Sequence, residues 1–229
     1  QKMKCTKASV NKAIKQLKEK AYVNYETYGK IEITKDGVKL AKKVLEAYDI
    51  VYLFLTELLG IEKKEANLEA EKMKQEFFDC GETVINGSAL FDQMEFDQWL
   101  INVDRNHDPN TVSKDWAVAT TFFAVRKSDG KILGMIDVRH ALTVPFLQEY
   151  GGHIGYAVRP SERRKGYATA MLRLALQYCA NLGIDAVHLG CYADNLPSIR
   201  TIERCGGIRI EEKPYADGKP MYIYAIPVR

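Results

Sequence analysis

Arg159-Pro-Ser-Glu-Arg163-Arg-Lys-Gly166-Tyr-Ala168-Thr169 places four cationic side chains and one glycine between a strand-like run, Gly152–Val158, and a run with helical spacing. A helix start leaves main-chain N–H groups without internal acceptors, and the helix dipole favours an anion there. Gly166 allows the backbone to approach a diphosphate closely, and Ala168 keeps the following turn thin. Arg163, Arg164 and Lys165 add positive charge. The chemistry such a turn suits is the holding of a phosphorylated ligand. A basic turn with a single glycine also fits an ordinary solvated loop, so the elements around it decide.

Thr120–Lys127 and Lys131–Arg139 alternate as strands do, and Ser128-Asp-Gly130 between them is a hairpin turn signal. The basic turn feeds an amphipathic helix to about Leu182, with Met171, Leu172, Leu174, Ala175, Tyr178 and Cys179 on its apolar side and Gly183 at its end. Ala186–Cys191 reads as a further strand, Leu196–Cys205 as a helix, and Ile208–Glu211 with Met221–Ile226 as a closing strand pair. Phe91, Phe96, Trp99, Leu100 and Val103 have helix-like spacing within an acidic stretch, 79–118. That stretch is expected to cap the substrate side. An acidic rim would favour a cationic amine, and a plain solvated face fits the composition equally well.

The chain ahead of this body is different. Residues 1–45 hold 12 Lys against four acids, and the first 78 residues contain 16 Lys and no Arg. Thr6–Lys20 has helical spacing with Val10, Ala13, Ile14 and Leu17 on one stripe. Tyr22–Tyr25 and Lys30–Thr34 around Gly29 read as a hairpin, and Thr34-Lys-Asp-Gly37 opens a long helix to about Gly60. A basic helix, a hairpin and a helix in that order form the latter part of a winged helix-turn-helix. Thr6, Lys7, Ser9, Asn11, Lys12 and Lys15 suit base edges and phosphates, and Lys30 the neighbouring backbone. A small helix-hairpin-helix that packs proteins together is the other reading of this segment.

Two family resemblances add to this. Ala8-Ser-Val10, Gln16-Leu-Lys-Glu-Lys20, Tyr25-Glu-x-Tyr28-Gly29, Ile33-Thr-Lys-Asp-Gly37 and Phe54-Leu-x-x-Leu-Leu-Gly60 resemble the diphtheria toxin repressor family of metal-dependent repressors. The helices that would precede the recognition helix are missing, which fits a truncated start. Tyr48 stands where the family has a His ligand. Glu69 fits a carboxylate, but Lys72 and Met73 follow it, so no metal is expected. Helix Glu46–Leu59 would serve dimerisation. Arg163-x-x-Gly166-x-Ala168, Asn195-x-x-Ser198 and Cys205-Gly-Gly207 resemble the acetyl-CoA motifs of the GNAT N-acetyltransferase superfamily. The resemblance implies an α/β (α+β) acyl-CoA N-acyltransferase fold with a mixed, mostly antiparallel sheet. The expected organisation is a partial winged helix over 1–45, linking or dimerisation helices over 46–76, and the acetyltransferase domain over 77–229.

The second resemblance implies acetyl-CoA as donor and an unidentified amine as acceptor. Tyr156, Ala157 and Val158 would hold the pantetheine by main-chain groups and polarise the thioester carbonyl. The amides of Arg164, Lys165, Gly166, Tyr167, Ala168 and Thr169 would hold the diphosphate, beside Arg163. Asn195 would bond the pantetheine or the helix start, with Ser198 nearby. Many members place a Tyr acid seven residues after the Asn; here Ile202 stands there, so Tyr192 is the substitute acid. His140, His153 and Asp137 are candidate bases. The missing Tyr leaves a second reading open, a transcription regulator whose GNAT-like domain senses acyl-CoA or an amine. No apolar run reaches the ~18 residues of a membrane span. Five cysteines without a CxxC pair point to a reduced, cytoplasmic setting.

Overall fold

The computed structural model describes residues 14–15, 17–25, 31–38 and 63–228. The chain divides into two compact units, Gln1–Ile50 and Val51–Arg229. In the first, residues 14–15, 17–19 and 35–38 are helical, and β1 (Val23–Tyr25) pairs antiparallel with β2 (Ile31–Ile33). Thr34 caps the second helical piece, its hydroxyl accepting from Gly37 N–H at 3.0 Å. Lys15 is exposed on the first piece. Thr6, Lys7, Ser9, Asn11, Lys12 and Lys30, with Tyr48 and the expected dimerisation helix Glu46–Leu59, lie outside the described residues.

The second unit is built on two three-stranded antiparallel sheets. One is ordered β3 (Ala119–Arg126), β4 (Lys131–Arg139), β5 (Ile154–Val158); the other is ordered β6 (Ala186–Tyr192), β8 (Pro220–Pro227), β7 (Ile208–Pro214). β6 and β8 follow the alternation of a half-covered strand, whereas β4, at the centre of a sheet covered on both faces, is buried from Ile132 to Val138. Helix α1 (Lys63–Asp79) and helix α2 (Phe96–His107) cover one face of the first sheet through Ala70, Met73, Phe77, Phe91, Phe96 and Trp99, which pack with Phe123, Ile132 and Met135. Helix α3 (Tyr167–Asn181) covers the other face and, with α4 (Leu196–Arg204), continues the core onto β6 and β8.

The apolar spacing around Phe91–Val103 is split into two pieces. Ala89 and Leu90 adopt φ of 48° and 67°, so a short 3-10 turn precedes α2. The break is held by Trp99, whose buried indole N–H donates to Ser88 O at 2.6 Å. Among the described residues no helix is long and apolar enough to cross a membrane.

Candidate active site

β5 and β6 touch at one point and then part. A single bridge joins Gly152 to Leu189, and His153 N–H donates to His188 O at 2.7 Å. Beyond that, β5 bonds only β4, and β6 only β8. Arg159 N–H donates to Leu133 O, so by strand alternation the main-chain groups of Ala157 face β4 while those of Tyr156 and Val158 face the gap. The gap opens into a cleft of about 660 Å³. Its lining includes Tyr156, Ala157 and Val158, the turn Arg163–Arg164 with Gly166–Thr169, and Asn195 and Ser198 of α4's first turn.

The turn has the form needed to hold an anion. Arg164 and Gly166 take left-handed φ of 64° and 88°. The first main-chain bond of α3 runs from Ala170 N–H to Gly166 O, which leaves Tyr167, Ala168 and Thr169 without helical acceptors. Gly166 caps the helix with no side-chain bond, and a Cβ there would meet nothing within 4 Å. Successive amides around left-handed residues form an anion-binding nest.

The cations of the turn are not equivalent. Arg163 forks onto Glu82 at 2.6 and 2.9 Å and donates Nε–H to Val158 O at 3.0 Å. Lys165 turns back to Glu162 at 2.8 Å. Glu162 is buried among Lys165, Lys131 and Arg126, whose bonds hold its carboxyl near about 2. Arg164 makes no side-chain ion pair among the described residues and lines the cleft with Arg200 and Arg204. Glu82 therefore sets a carboxylate at the mouth of an anion site. Glu82→Gln is expected to tighten CoA binding about threefold at low salt, an advantage that fades at 0.5 M salt; isothermal calorimetry at both conditions checks it.

Asn195 caps α4, its Oδ1 accepting from Ser198 N–H at 3.2 Å. Asn195 itself lines the cleft. The Tyr156 hydroxyl lies 2.9 Å from Ser198 Oγ, tying β5 to α4 across the parted strands, and burial pushes its pKa up to about 12. Gly87, φ 69°, packs its backbone on the Gly155–Tyr156 peptide, where a Cβ would fall 2.1 Å from Gly155 O. Both the Tyr156–Ser198 tie and the Asn86–Gly87 turn are absent from the sequence-based expectations; the Asn-Gly pair is the local signal that could have marked the turn.

The candidate acid and bases are dispersed. Tyr192 ends β6 on the face turned away from α3 and α4, donating to Asp217 Oδ2 at 3.3 Å; burial and then Asp217 raise its pKa. His153 sits at the junction of β5 and β6. Its Nδ1 accepts from His188 N–H at 3.0 Å, which places the neutral ring's proton on Nε2, and burial lowers its pKa to about 4. Asp137 is buried, accepting from Thr121 Oγ1 and paired with Arg139, each at 2.8 Å. His140 lies outside the cleft lining, 2.8 Å from Thr120 Oγ1, and burial lowers its pKa. Cys191 is buried and its thiol is pushed up to about 11.

A sheet that parts beside an open helix start, with a capped second helix on the other lip, is the acyl-CoA N-acyltransferase fold. The chain belongs to the acetyltransferase (GNAT) family, whose model matches residues 90–207. A single-site mutant of spermidine N-acetyltransferase SpeG from Vibrio cholerae is similar in fold, with a TM-score of 0.51 at 12% identity over 71% of this chain and 91% of that one. The putative acetyltransferase yncA of Salmonella typhimurium, with its cofactor acetyl-CoA, aligns with a TM-score of 0.42 at 14% identity over 48% of this chain and 65% of that one. The N-terminal part is similar to an uncharacterised HTH-type transcriptional regulator of Methanocaldococcus jannaschii, 38% identical over 72 residues, or 31% of this chain. The chain spans 58% of that relative's length.

Proposed function

We propose that the protein is an acetyl-CoA-dependent N-acetyltransferase of a primary amine, joined to a DNA-binding module. The observation that carries the first part is the open turn at Gly166 lying in the cleft between the parted strands. The diphosphate would rest on the amides of Arg164–Thr169, with Arg164, Arg200 and Arg204 free to meet phosphate charge. The pantetheine would run along the Tyr156 and Val158 main chain, with Asn195 Nδ2 as a further donor. A free N–H at this edge would stabilise the oxyanion as the thioester carbonyl becomes tetrahedral.

The amine nitrogen attacks the carbonyl carbon, the C–S bond breaks, the new amide sheds one proton, and the CoA sulfur gains one. Tyr192 is the acid of this reading. Its raised pKa keeps it protonated at neutral pH, so it can supply the sulfur's proton. Asp137, paired with Arg139 and accepting from Thr121, ties β4 to β3. His153 contributes an Nε2–H donor at the strand junction.

The test is thiol release from acetyl-CoA against a panel of primary amines. Amine-dependent release is expected; CoA binding without release by any amine would instead support an acyl-CoA sensor. The DNA module rests on the likeness to an HTH-type regulator and on the lysine-rich front segment. Its affinity for duplex DNA is expected to fall steeply between 50 and 200 mM salt, measured by fluorescence anisotropy. A flat response would remove DNA from the account.

A further inference from the structure

The face of β6 turned away from α3 and α4 carries an aromatic cluster that the cofactor cleft does not use. Val187, Leu189 and Cys191 point into the core, so His188, Gly190 and Tyr192 point the other way. The main chain of Tyr150 crosses that face at Gly190, where a Cβ would fall 2.0 Å from Tyr150 O. The Tyr215 ring, from the β7–β8 turn, packs edge-on against Tyr150 at 5.1 Å and Tyr192 at 5.5 Å, with Phe146 at 6.2 Å completing the group. Phe146 is 50% exposed and the tyrosines are half-buried. Tyr192 stands at the end of β6 where the strands have parted, so the cluster borders the gap on the face opposite α3 and α4.

Two ammonium groups of the chain already sit over these rings: Lys213 Nζ is 5.2 Å from the Tyr150 centroid and Lys219 Nζ 5.7 Å from that of Tyr192. Each is also near a carboxylate, Lys213 at 3.1 Å from Glu211 and Lys219 at 3.6 Å from Asp217. Glu149 and Asp194 bring further negative charge; Glu149 bonds the Tyr150 hydroxyl and, before burial, is the main cause of its raised pKa. Ion pairs at or near the surface are weak, so a ligand cation can displace a lysine from a ring face cheaply. A cation over an aromatic ring is attracted by the ring's negative face, and more strongly as it is desolvated.

We propose that this cluster is the acceptor subsite and that it selects an amine carrying a second cationic centre. One ammonium of an aliphatic diamine occupies the Tyr150–Tyr192–Tyr215 surface beside Asp217, and the other end reaches the gap as the reacting amine. The inference rests on the acetyl-transfer reading above, and its test does not need turnover. Calorimetric titrations of 1,4-diaminobutane and 1-aminobutane into the CoA-saturated full chain are expected to give at least tenfold tighter binding of the diamine. Tyr215→Leu is expected to cost the diamine about fivefold to tenfold, and Tyr215→Phe, which keeps the ring, to retain its affinity. Equal affinities for the two amines would overturn the proposal, as would a Tyr215→Leu protein that binds the diamine like wild type or a Tyr215→Phe protein as weak as Tyr215→Leu. Failure of the acetyl-transfer reading itself shows elsewhere, as absence of thiol release with every amine.

Discussion

Gly166→Glu is expected to weaken CoA binding by at least about 100-fold while leaving a folded protein. The fold has room for the substitution, since no atom lies within 4 Å of a Cβ at this position. Its structural cost is that of a side chain at φ 88°, about 1–2 kcal/mol. That corresponds to a fall in Tm of about 2–8 °C for a unit of this size. The binding cost is larger and has a different origin. The new carboxylate takes the amides of Tyr167–Thr169 for itself and repels the diphosphate from the same place. Gly166→Ala separates the two effects, keeping the backbone strain and the steric intrusion of one methyl without the charge, and is expected to lose about tenfold. Calorimetry with CoA and a thermal melt of each variant check both numbers. A Gly166→Glu protein that binds CoA as wild type does would remove the turn from the site.

Several strands and helices of the second unit were legible because they have one face to bury and an unambiguous period. β6 shows this well: alternate residues Val187, Leu189 and Cys191 are buried, the arrangement that a half-covered strand requires. The turn at Gly166 was marked by its place between a strand and an amphipathic helix, since a cationic segment with one glycine fits a solvated loop equally well. What the sequence did not reveal is which charges cancel. Arg163 and Arg164 are neighbours of equal charge, yet one is neutralised by Glu82, 81 residues earlier in the chain, and the other is free to meet a ligand. The same applies to Asp137 and His140, whose types suit acid–base work but whose polar atoms are taken by Arg139 and Thr121 in one case and Thr120 in the other. The aromatic surface around Tyr215 was hidden because its rings come from three segments with no common period.

Helix α1 shows most plainly how distant charge fixes the cleft. Most of it falls in the 46–76 stretch expected to hold linking or dimerisation helices, yet Ala70, Met73 and Phe77 are fully packed and two of its glutamates reach Arg159. Arg159 follows Val158 directly, so it anchors the end of β5 one residue past the cleft wall and a few residues before the anion-binding turn. Its guanidinium is 5% exposed and bonds Glu69, Glu76 at 2.7 Å and Ile132 O at 3.1 Å. Arg159→Met keeps the volume and removes the charge, leaving two carboxylates facing an apolar chain. Removing one partner of a fully buried pair costs about 3–5 kcal/mol. Because Glu69 and Glu76 retain 22% and 29% exposure, about 2–3 kcal/mol is expected here, measured by urea unfolding at pH 7. The cost is also expected to depend on pH with a definite sign. Burial tends to raise the Glu76 pKa, but bonds from Arg159 and Ser161 outweigh it and hold it below the ordinary 4.5. A carboxylate with a depressed folded-state pKa stabilises the protein fully above its unfolded value and loses that contribution as pH falls through the folded one. The wild-type advantage over Arg159→Met therefore shrinks as pH falls through about 4.5, because Glu76 of the variant, without the Arg159 bond, takes up its proton at higher pH than Glu76 of the wild type. A gap that stays constant from pH 7 to pH 4 would mean that the arginine acts through packing alone. CoA affinity follows the same anchor, since a loosened Arg159 lets the Val158 lip drift from the nest, so the variant is also expected to bind CoA several-fold more weakly at pH 7.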